Sequence, residues 1–204
     1  MNLENMINIQ RTKNIDDLAK VQALIREYFK PHEIVSSNEF VYYAENYSKL
    51  YSGEDYFVYK IEDDGELIGM LSGVMLNEFV VVDYFIIDAA HRRSSKEIAN
   101  KVIDILKEFN RPVVVEAESE GLCRLYQMFG FKRFSEPYKY VRLDVCLHNR
   151  TSKVSSYDYN LLYLSPNDMD FDTTKQTLYS KHYMRWNSIY GDDLTKEYKI
   201  ALGI

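Results

Sequence analysis

The sequence predicts an α/β domain, in which a mixed sheet is flanked by helices, followed by an aromatic-rich C-terminal extension. Segments with the two-residue apolar period of strands alternate along the chain with segments whose apolar residues recur at helical spacing. Beyond Leu147 the composition changes, because tyrosines and the single tryptophan occur there among Asp and Asn residues. We therefore expect residues 1–147 to form the main domain and residues 148–204 to form the extension.

Composition excludes several classes of protein. The 204 residues carry a formal net charge of −6, which argues against nonspecific binding of nucleic acid. No apolar run approaches the roughly 18 residues of a membrane helix, and the N-terminus lacks the basic and apolar regions of a secretory signal. We therefore expect a cytoplasmic protein with no membrane partner. Cys123 and Cys146 are too few for a disulfide framework and lack metal-ligand spacing, so no metal site is expected.

The first elements are predicted from caps, breakers and periodicity. Asn14 is a typical N-cap residue, and Ser36-Ser37-Asn38 can cap a second helix. Pro31 ends the first helix, and Gly65 supplies the positive φ angle of a hairpin turn. The elements expected in this part are, in order, a strand at 7–11, a helix from Asn14 to Pro31, a helix from Ser36 to Leu50, and strands at 56–62 and 67–76.

A central strand, residues 79–88, runs through a polar turn at residues 89–96 into an amphipathic helix that continues to Phe109. The strand is rich in β-branched and aromatic residues, and the helix repeats apolar residues at helical spacing. The first backbone N–H groups of such a helix lack partners and lie at the positive end of its dipole, which suits an anionic phosphate. Arg92, Arg93 and Lys96 add positive charge, so we expect an anion-binding turn here.

The later elements continue the alternation of strands and helices. Ser119 is a typical N-cap, and Gly130 is typical of a left-handed helix end. The elements expected here are a strand at 113–117, a short helix at 120–129, a strand at 138–147, a polar linker at 148–156, and helical segments at 173–189 and 194–202. Up to Leu147 the order is therefore β-α-α-β-β-β-α-β-α-β.

This order and two segments resemble the GNAT superfamily of acyl-CoA N-acyltransferases over residues 7–147. The segment Leu125-Tyr126-Gln127-Met128-Phe129-Gly130-Phe131 is similar to the family's "LYxxxGF" segment. The segment from Asp83 to Ala99 is similar to the strand, turn and helix that hold the coenzyme A pyrophosphate. In the family this turn reads Gln/Arg-x-x-Gly-x-Gly/Ala, whereas here Glu97 falls on the first glycine or on the last small position, depending on the register. The resemblance implies a sheet with splayed central strands.

Three residues are candidates for the chemistry of acyl transfer. An amine attacks a thioester only when it is neutral, so a carboxylate has to take its proton, and Asp83 and Glu116 are the candidates for this general base. The resemblance places Tyr126 where the family protonates the departing thiolate. Each residue also has a structural interpretation. Asp83 could lie on the solvated face of its strand, and Tyr126 could simply pack in the core. Glu116 could belong to a solvated acidic rim, which could equally attract a cationic acceptor.

The resemblance also implies contacts with acetyl-CoA. Backbone N–H groups near residues 85–88 would pair with its pantetheine arm and polarise the thioester carbonyl. The residues expected to contact the cofactor are Phe85, Ile86, Ile87, Arg92, Arg93, Ser94, Ser95, Lys96, Ile98, Ala99, Ser119 and Tyr126.

Two functions follow from these observations. The first is an N-acetyltransferase that transfers an acetyl group from acetyl-CoA to an amine-bearing small molecule or protein. The second is a catalytically silent GNAT-like module retained for protein contact, favoured by the missing glycines and by the aromatic residues of 156–204. Aromatic residues at this density bury area, either as a cover over the sheet's edge or against another chain, in a homo-oligomer or with a protein partner.

Overall fold

The chain divides into two units, residues 1–114 and residues 115–204. The structure is a computed structural model that describes residues 7–204, apart from the side chains of residues 92–95. The predicted α/β fold class is confirmed, because strands joined into open sheets pack against helices in both units. Within the described range, every helix is too short or too polar to cross a membrane.

Four strands form the sheet of the first unit. They are β1 (Ile7–Arg11), β2 (Asp55–Asp63), β3 (Glu66–Met75) and β4 (Val80–Ile87). Each strand is antiparallel to the next, in the order β1-β2-β3-β4. Asp64 and Gly65, with φ angles of 49° and 84°, form the predicted turn between β2 and β3. Positive φ angles at both central residues match the twist of a hairpin.

Three helices cover this sheet. They are α1 (Ile15–Tyr28), α2 (Ser37–Leu50) and α3 (Ser95–Glu108). The predicted cap at Asn14 is confirmed, because its side chain accepts from the N–H groups of Asp16 and Asp17. Of the three candidate caps of α2, Ser36 makes the capping bond, and its hydroxyl accepts from the N–H group of Glu39. Leu18, Val21 and Ile25 form one face of α1, and all three are fully buried. Each such side chain contributes about 1.5–3 kcal/mol to folding, so packing holds these helices more than their caps do.

A β-bulge interrupts the pairing of β3 with β4. Tyr84 pairs with Ser72 and Val82 pairs with Gly73, which leaves Asp83 as an extra residue on β4. A Cβ atom at Gly73 would lie 2.0 Å from the Val81 carbonyl oxygen. Glycine is therefore required opposite the bulge, because any side chain would push β4 away.

We expect Gly73→Ala to lower the free energy of unfolding by about 1–3 kcal/mol, because the added methyl group collides with backbone that cannot rotate away. Urea unfolding followed by circular dichroism measures this change. Gly121→Ala is the matched control: its Cβ would have only the Ser119 hydroxyl oxygen nearby, at 3.8 Å, inside a helix. That variant should gain about 0.5–1 kcal/mol. Equal unfolding midpoints for the two variants would contradict the close approach at Gly73.

The second unit contains shorter elements. Its strands are β5 (Val113–Ala117, which begins in the first unit), β6 (Lys132–Arg133), β7 (Tyr138–Cys146) and β8 (Thr151–Leu164). Its helices are α4 (Glu120–Met128), α5 (Phe171–Thr177), α6 (Met184–Asn187) and α7 (Asp192–Leu202). The strand order is β5-β8-β6, and β7 pairs with β8.

The prediction of a polar linker at residues 148–156 is wrong. The residues from Thr151 onward belong to β8, which pairs antiparallel with the whole of β7, from Cys146 opposite Thr151 to Tyr138 opposite Tyr159. The side chains of residues 151–156 are exposed or half-buried, so the apolar alternation that signals a half-buried strand is absent. The boundary expected at Leu147 lies inside this hairpin.

Residues 165–204, which we call the C-terminal segment, pack onto the β7–β8 hairpin. A π-helical stretch, Leu178–Tyr183, joins α5 to α6. The Tyr179 hydroxyl donates to the Lys139 carbonyl at 2.6 Å, and the Tyr198 hydroxyl donates to the Val141 carbonyl at 3.0 Å. Both rings are buried, so these aromatic residues cover β7 within the same chain.

Candidate active site

Asp83 occupies the bulge of β4 and lies close to a buried tyrosine. The Tyr56 side chain is 1% exposed. Burial of its hydroxyl, and next the negative charge of Asp83, raise the pKa of Tyr56 well above its usual value. A neutral hydroxyl is therefore held near the Asp83 carboxylate. Asp83 is half-buried, and bulges are common beside active sites, where they re-aim a side chain.

The expected anion-binding turn is a 3₁₀ helix, Ala89–Ser94, that runs directly into α3. Its first amides have acceptors within the protein. The Ala89 N–H donates to the Tyr28 hydroxyl at 3.2 Å, and the Ala90 N–H donates to the Asp88 carboxylate at 2.8 Å. The His91 N–H donates to the Asp88 carbonyl at 3.0 Å. An anion that used these amides would have to replace Tyr28 and Asp88.

The residues expected to contact the cofactor from β4 and α3 differ in exposure. Ile86, Ile98 and Ala99 are buried in the core, so their side chains are not available to a ligand. Phe85 and Ile87 are half-buried, and Lys96 is exposed. The side chains of Arg92, Arg93, Ser94 and Ser95 lie outside the described residues.

Glu97 has a cationic neighbour in the first turn of α3. Its carboxylate lies 3.0 Å from the Lys101 ammonium group, one helical turn later. Both side chains are exposed, so the pair adds little stability. It does reduce the negative field that Glu97 would otherwise place beside a bound pyrophosphate.

Tyr126 lies on α4, where its ring packs against Phe131 with the centroids 5.3 Å apart. Burial of the hydroxyl raises the pKa of Tyr126 to about 12. Tyr126 therefore stays protonated near neutral pH, as a proton donor must. Ser119 begins the same helix, and its hydroxyl accepts from the Leu122 N–H at 3.3 Å. The Ser119 oxygen therefore stabilises the N-terminus of α4, the helix that carries Tyr126.

Glu116 has two tyrosine partners that the sequence did not reveal. Its Oε1 atom accepts hydrogen bonds from the hydroxyl groups of Tyr138 and Tyr183. These two hydroxyl oxygens lie 3.0 Å apart. Burial, and next the charge of Glu116, raise the pKa of both tyrosines well above the usual value. Glu116 is thus the centre of a tyrosine cluster and not part of a solvated acidic rim.

The predicted site residues divide between the two units. Asp83 and the 3₁₀ turn belong to the first unit, whereas Glu116, Ser119 and Tyr126 belong to the second. The sequence did not single out Tyr28, Tyr56, Tyr138 and Tyr183 as residues of the site. The abundance of tyrosine was visible, but no local signal distinguishes these four among 18 tyrosines. Across the described residues there is no group of three His, Cys, Asp or Glu side chains arranged to hold a metal.

Comparison with protein families gives a match. The model of the acetyltransferase (GNAT) family matches residues 20–131, which is more than half of the chain. That range contains the bulged strand, the 3₁₀ turn, Glu116 and Tyr126. A comparison with curated protein sequences gave no match.

Solved structures of acetyltransferases share the fold. A protein from Bacteroides thetaiotaomicron assigned to the GNAT family is 19% identical, with a TM-score of 0.66 over 87% of this chain and 98% of that chain. An acyl-CoA N-acyltransferase from Pseudomonas aeruginosa is 14% identical, with a TM-score of 0.52 over 78% of this chain and 100% of that one. The ribosomal-protein-S18-alanine N-acetyltransferase from Escherichia coli is 12% identical, with a TM-score of 0.51 over 81% and 100%. At these identities the likeness concerns the fold alone.

Proposed function

We propose that this chain, which belongs to the GNAT family of acetyltransferases, transfers an acetyl group from acetyl-CoA to the nitrogen of an amine. Membership of the family makes acyl transfer the class of reaction. The observation that carries the finer proposal is that the matched range, residues 20–131, contains Asp83, the 3₁₀ turn and Tyr126. The acceptor in this proposal is an amine-bearing small molecule or protein.

The proposed reaction needs three groups from this chain. Asp83 or Glu116 takes a proton from the acceptor ammonium, directly or through one water, because only the neutral amine is a nucleophile. The amine nitrogen then attacks the thioester carbonyl carbon, whose oxygen is polarised by backbone N–H groups near residues 85–87. The carbon–sulfur bond breaks and the leaving thiolate takes the proton of Tyr126. The attacking nitrogen loses its extra proton as the amide forms, and that proton passes through water to the Tyr126 phenolate. An ordinary tyrosine hydroxyl already carries its proton at neutral pH, and burial, which raises the pKa of Tyr126 to about 12, keeps it protonated.

Binding of acetyl-CoA tests this proposal before any acceptor is known. We expect acetyl-CoA at 100 times its dissociation constant to stabilise the protein by about 2.7 kcal/mol in thermal unfolding. Replacing both Arg92 and Arg93 with alanine should weaken binding by about 2–4 kcal/mol, since a hydrogen bond to a charged group contributes about 1.5–3 kcal/mol. Lys107→Ala is the matched control, because this exposed cation lies in the last turn of α3. No stabilisation at millimolar acetyl-CoA would contradict the proposal.

A second function rests on the 3₁₀ turn. The amides of Ala89, Ala90 and His91 are bonded to Tyr28 and Asp88, and the turn lacks the glycines of the family motif. Both features favour a catalytically silent module retained for protein contact. Size-exclusion chromatography with light scattering, run beside the acetyl-CoA titration, separates the two functions. A larger assembly without acetyl-CoA binding would favour the silent module, and a monomer that binds acetyl-CoA would exclude it.

A further inference from the structure

The hydrogen bonds to Glu116 come from two distant parts of the second unit. Tyr138 is the first residue of β7, and Tyr183 ends the π-helical stretch of the C-terminal segment. Both hydroxyl groups donate to the same oxygen, Oε1. Hydrogen bonds from a hydroxyl to a carboxylate are short and about twice as strong as bonds between neutral groups. Two such donors on one oxygen restrict the rotation of the carboxylate and favour its ionised form.

The surrounding rings hold these two donors in place. Tyr179 stacks on Tyr183 with the centroids 5.6 Å apart and the planes inclined by 27°. Tyr138 packs against Tyr179 at 6.0 Å, and Tyr140 meets the Tyr183 ring edge-on at 5.7 Å. The hydroxyl of Tyr179 itself is bonded to a backbone carbonyl, so this ring is anchored independently of Glu116. The direction of the Tyr138 and Tyr183 hydroxyl groups is therefore set by packing.

Four tyrosines are titratable neighbours of Glu116. The tyrosines whose pKa is raised in part by the charge of Glu116 are Tyr138 on β7, Tyr179 and Tyr183 on the π-helical stretch, and Tyr198 on α7. In each case burial is the larger cause. Arg142 on β7 interacts with Tyr198 and forms an ion pair with Asp144. All four tyrosines stay neutral near pH 7 and so remain donors.

We propose that Tyr138 and Tyr183 are positioning residues that hold the Glu116 carboxylate ionised and oriented to accept the proton of the acceptor amine. The inference rests on the proposed function, in which Glu116 is one of two candidate proton acceptors. Its consequence is that the C-terminal segment supplies part of the catalytic apparatus through Tyr183. The segment is then more than a cover, and its loss would impair proton transfer as well as stability.

The test measures ionisation of Glu116 without any acceptor. The full-length protein is labelled with [5-¹³C]glutamate, and the Glu116 signal is assigned by its absence in Glu116→Gln. In Tyr183→Phe and in Tyr138→Phe we expect the titration midpoint of Glu116 to rise by about one pH unit, which is tenfold in proton affinity. Tyr179→Phe is the matched control, because it removes a buried hydroxyl that donates elsewhere. An unchanged midpoint in both Tyr183→Phe and Tyr138→Phe would overturn the proposal.

A kinetic measurement separates this inference from the proposed function. Benzylamine and spermidine serve as acceptor probes. In Tyr183→Phe the acid limb of the pH profile of kcat/KM should shift to higher pH, by the same amount as the titration midpoint of Glu116. The limb should stay in place in Tyr179→Phe. A Glu116→Gln variant that transfers acetyl groups at the full rate would overturn the role of Glu116 and of its tyrosines. Acetyl transfer as such, with Asp83 as the base, would survive that result.

Discussion

Ending the chain at Asn149 is expected to abolish cooperative folding of the second unit. The cut removes β8, which lies between β5 and β6 and pairs with β7 along its whole length. It also removes α7, whose buried Leu194, Tyr198 and Leu202 belong to the helix that packs on the hairpin. An unpaired β7 then exposes backbone donors and apolar side chains that favour aggregation. Circular dichroism, thermal unfolding and light scattering on the truncated protein measure these effects.

A second truncation, after Leu164, is the matched control. It keeps β8 and removes only the C-terminal segment, so the strand order of the second unit can persist. We expect removal of this segment to lower the melting temperature and to expose the face of β7 that Tyr179 and Tyr198 cover. Cooperative folding of the second unit, which the cut at Asn149 abolishes, should be retained. A protein ending at Asn149 that remained a soluble, cooperatively folding monomer would contradict this account. It would also favour the alternative hypothesis, in which residues 156–204 dock onto another chain.

The sequence was sufficient for most of the first unit because its signals are local. Asn14 caps its helix as predicted, the second helix is capped within the predicted Ser36-Ser37-Asn38 segment, and residues 7–11 form the predicted strand. The two-residue turn at Asp64 and Gly65 follows from the φ angles that a tight hairpin needs. In each case a few neighbouring residues determine the outcome. At these positions the local preferences of the residues agree with the final fold, so the sequence pattern predicts the helix, strand or turn that forms.

The features that the sequence did not predict depend on distant pairing. The bulge at Asp83 is defined by the register of β4 against β3, and the residues next to Asp83 in the sequence do not predict it. Glu116 finds its partners 22 and 67 residues later in the chain. Residues 151–156 form a strand because β7 pairs with them, although their own composition is that of a loop. The candidate residues could be selected from the sequence, but their environments could not.

Replacing Tyr126 with phenylalanine is expected to lower kcat for acetyl transfer by about 100-fold or more, because the leaving thiolate loses its proton donor. Folding and acetyl-CoA affinity should change little, since the ring and its packing on Phe131 are retained. The pKa of Tyr126 is raised to about 12, so its ionisation lies above the range in which the enzyme would be assayed. The fall in kcat should therefore be the same from pH 7 to pH 9. Steady-state kinetics and an acetyl-CoA titration measure the two effects separately.

Tyr42→Phe is the control for this substitution, because Tyr42 is 41% exposed on α2 and has no proposed part in the reaction. It should retain the full rate. If Tyr126→Phe also retained it, the hydroxyl would have no chemical role and Tyr126 would be a packing residue of α4. A Tyr126→Phe variant that lost acetyl-CoA affinity along with kcat would instead place the hydroxyl in cofactor binding. Only a loss confined to kcat agrees with proton donation, because an interaction made in the transition state alone leaves ground-state binding unchanged.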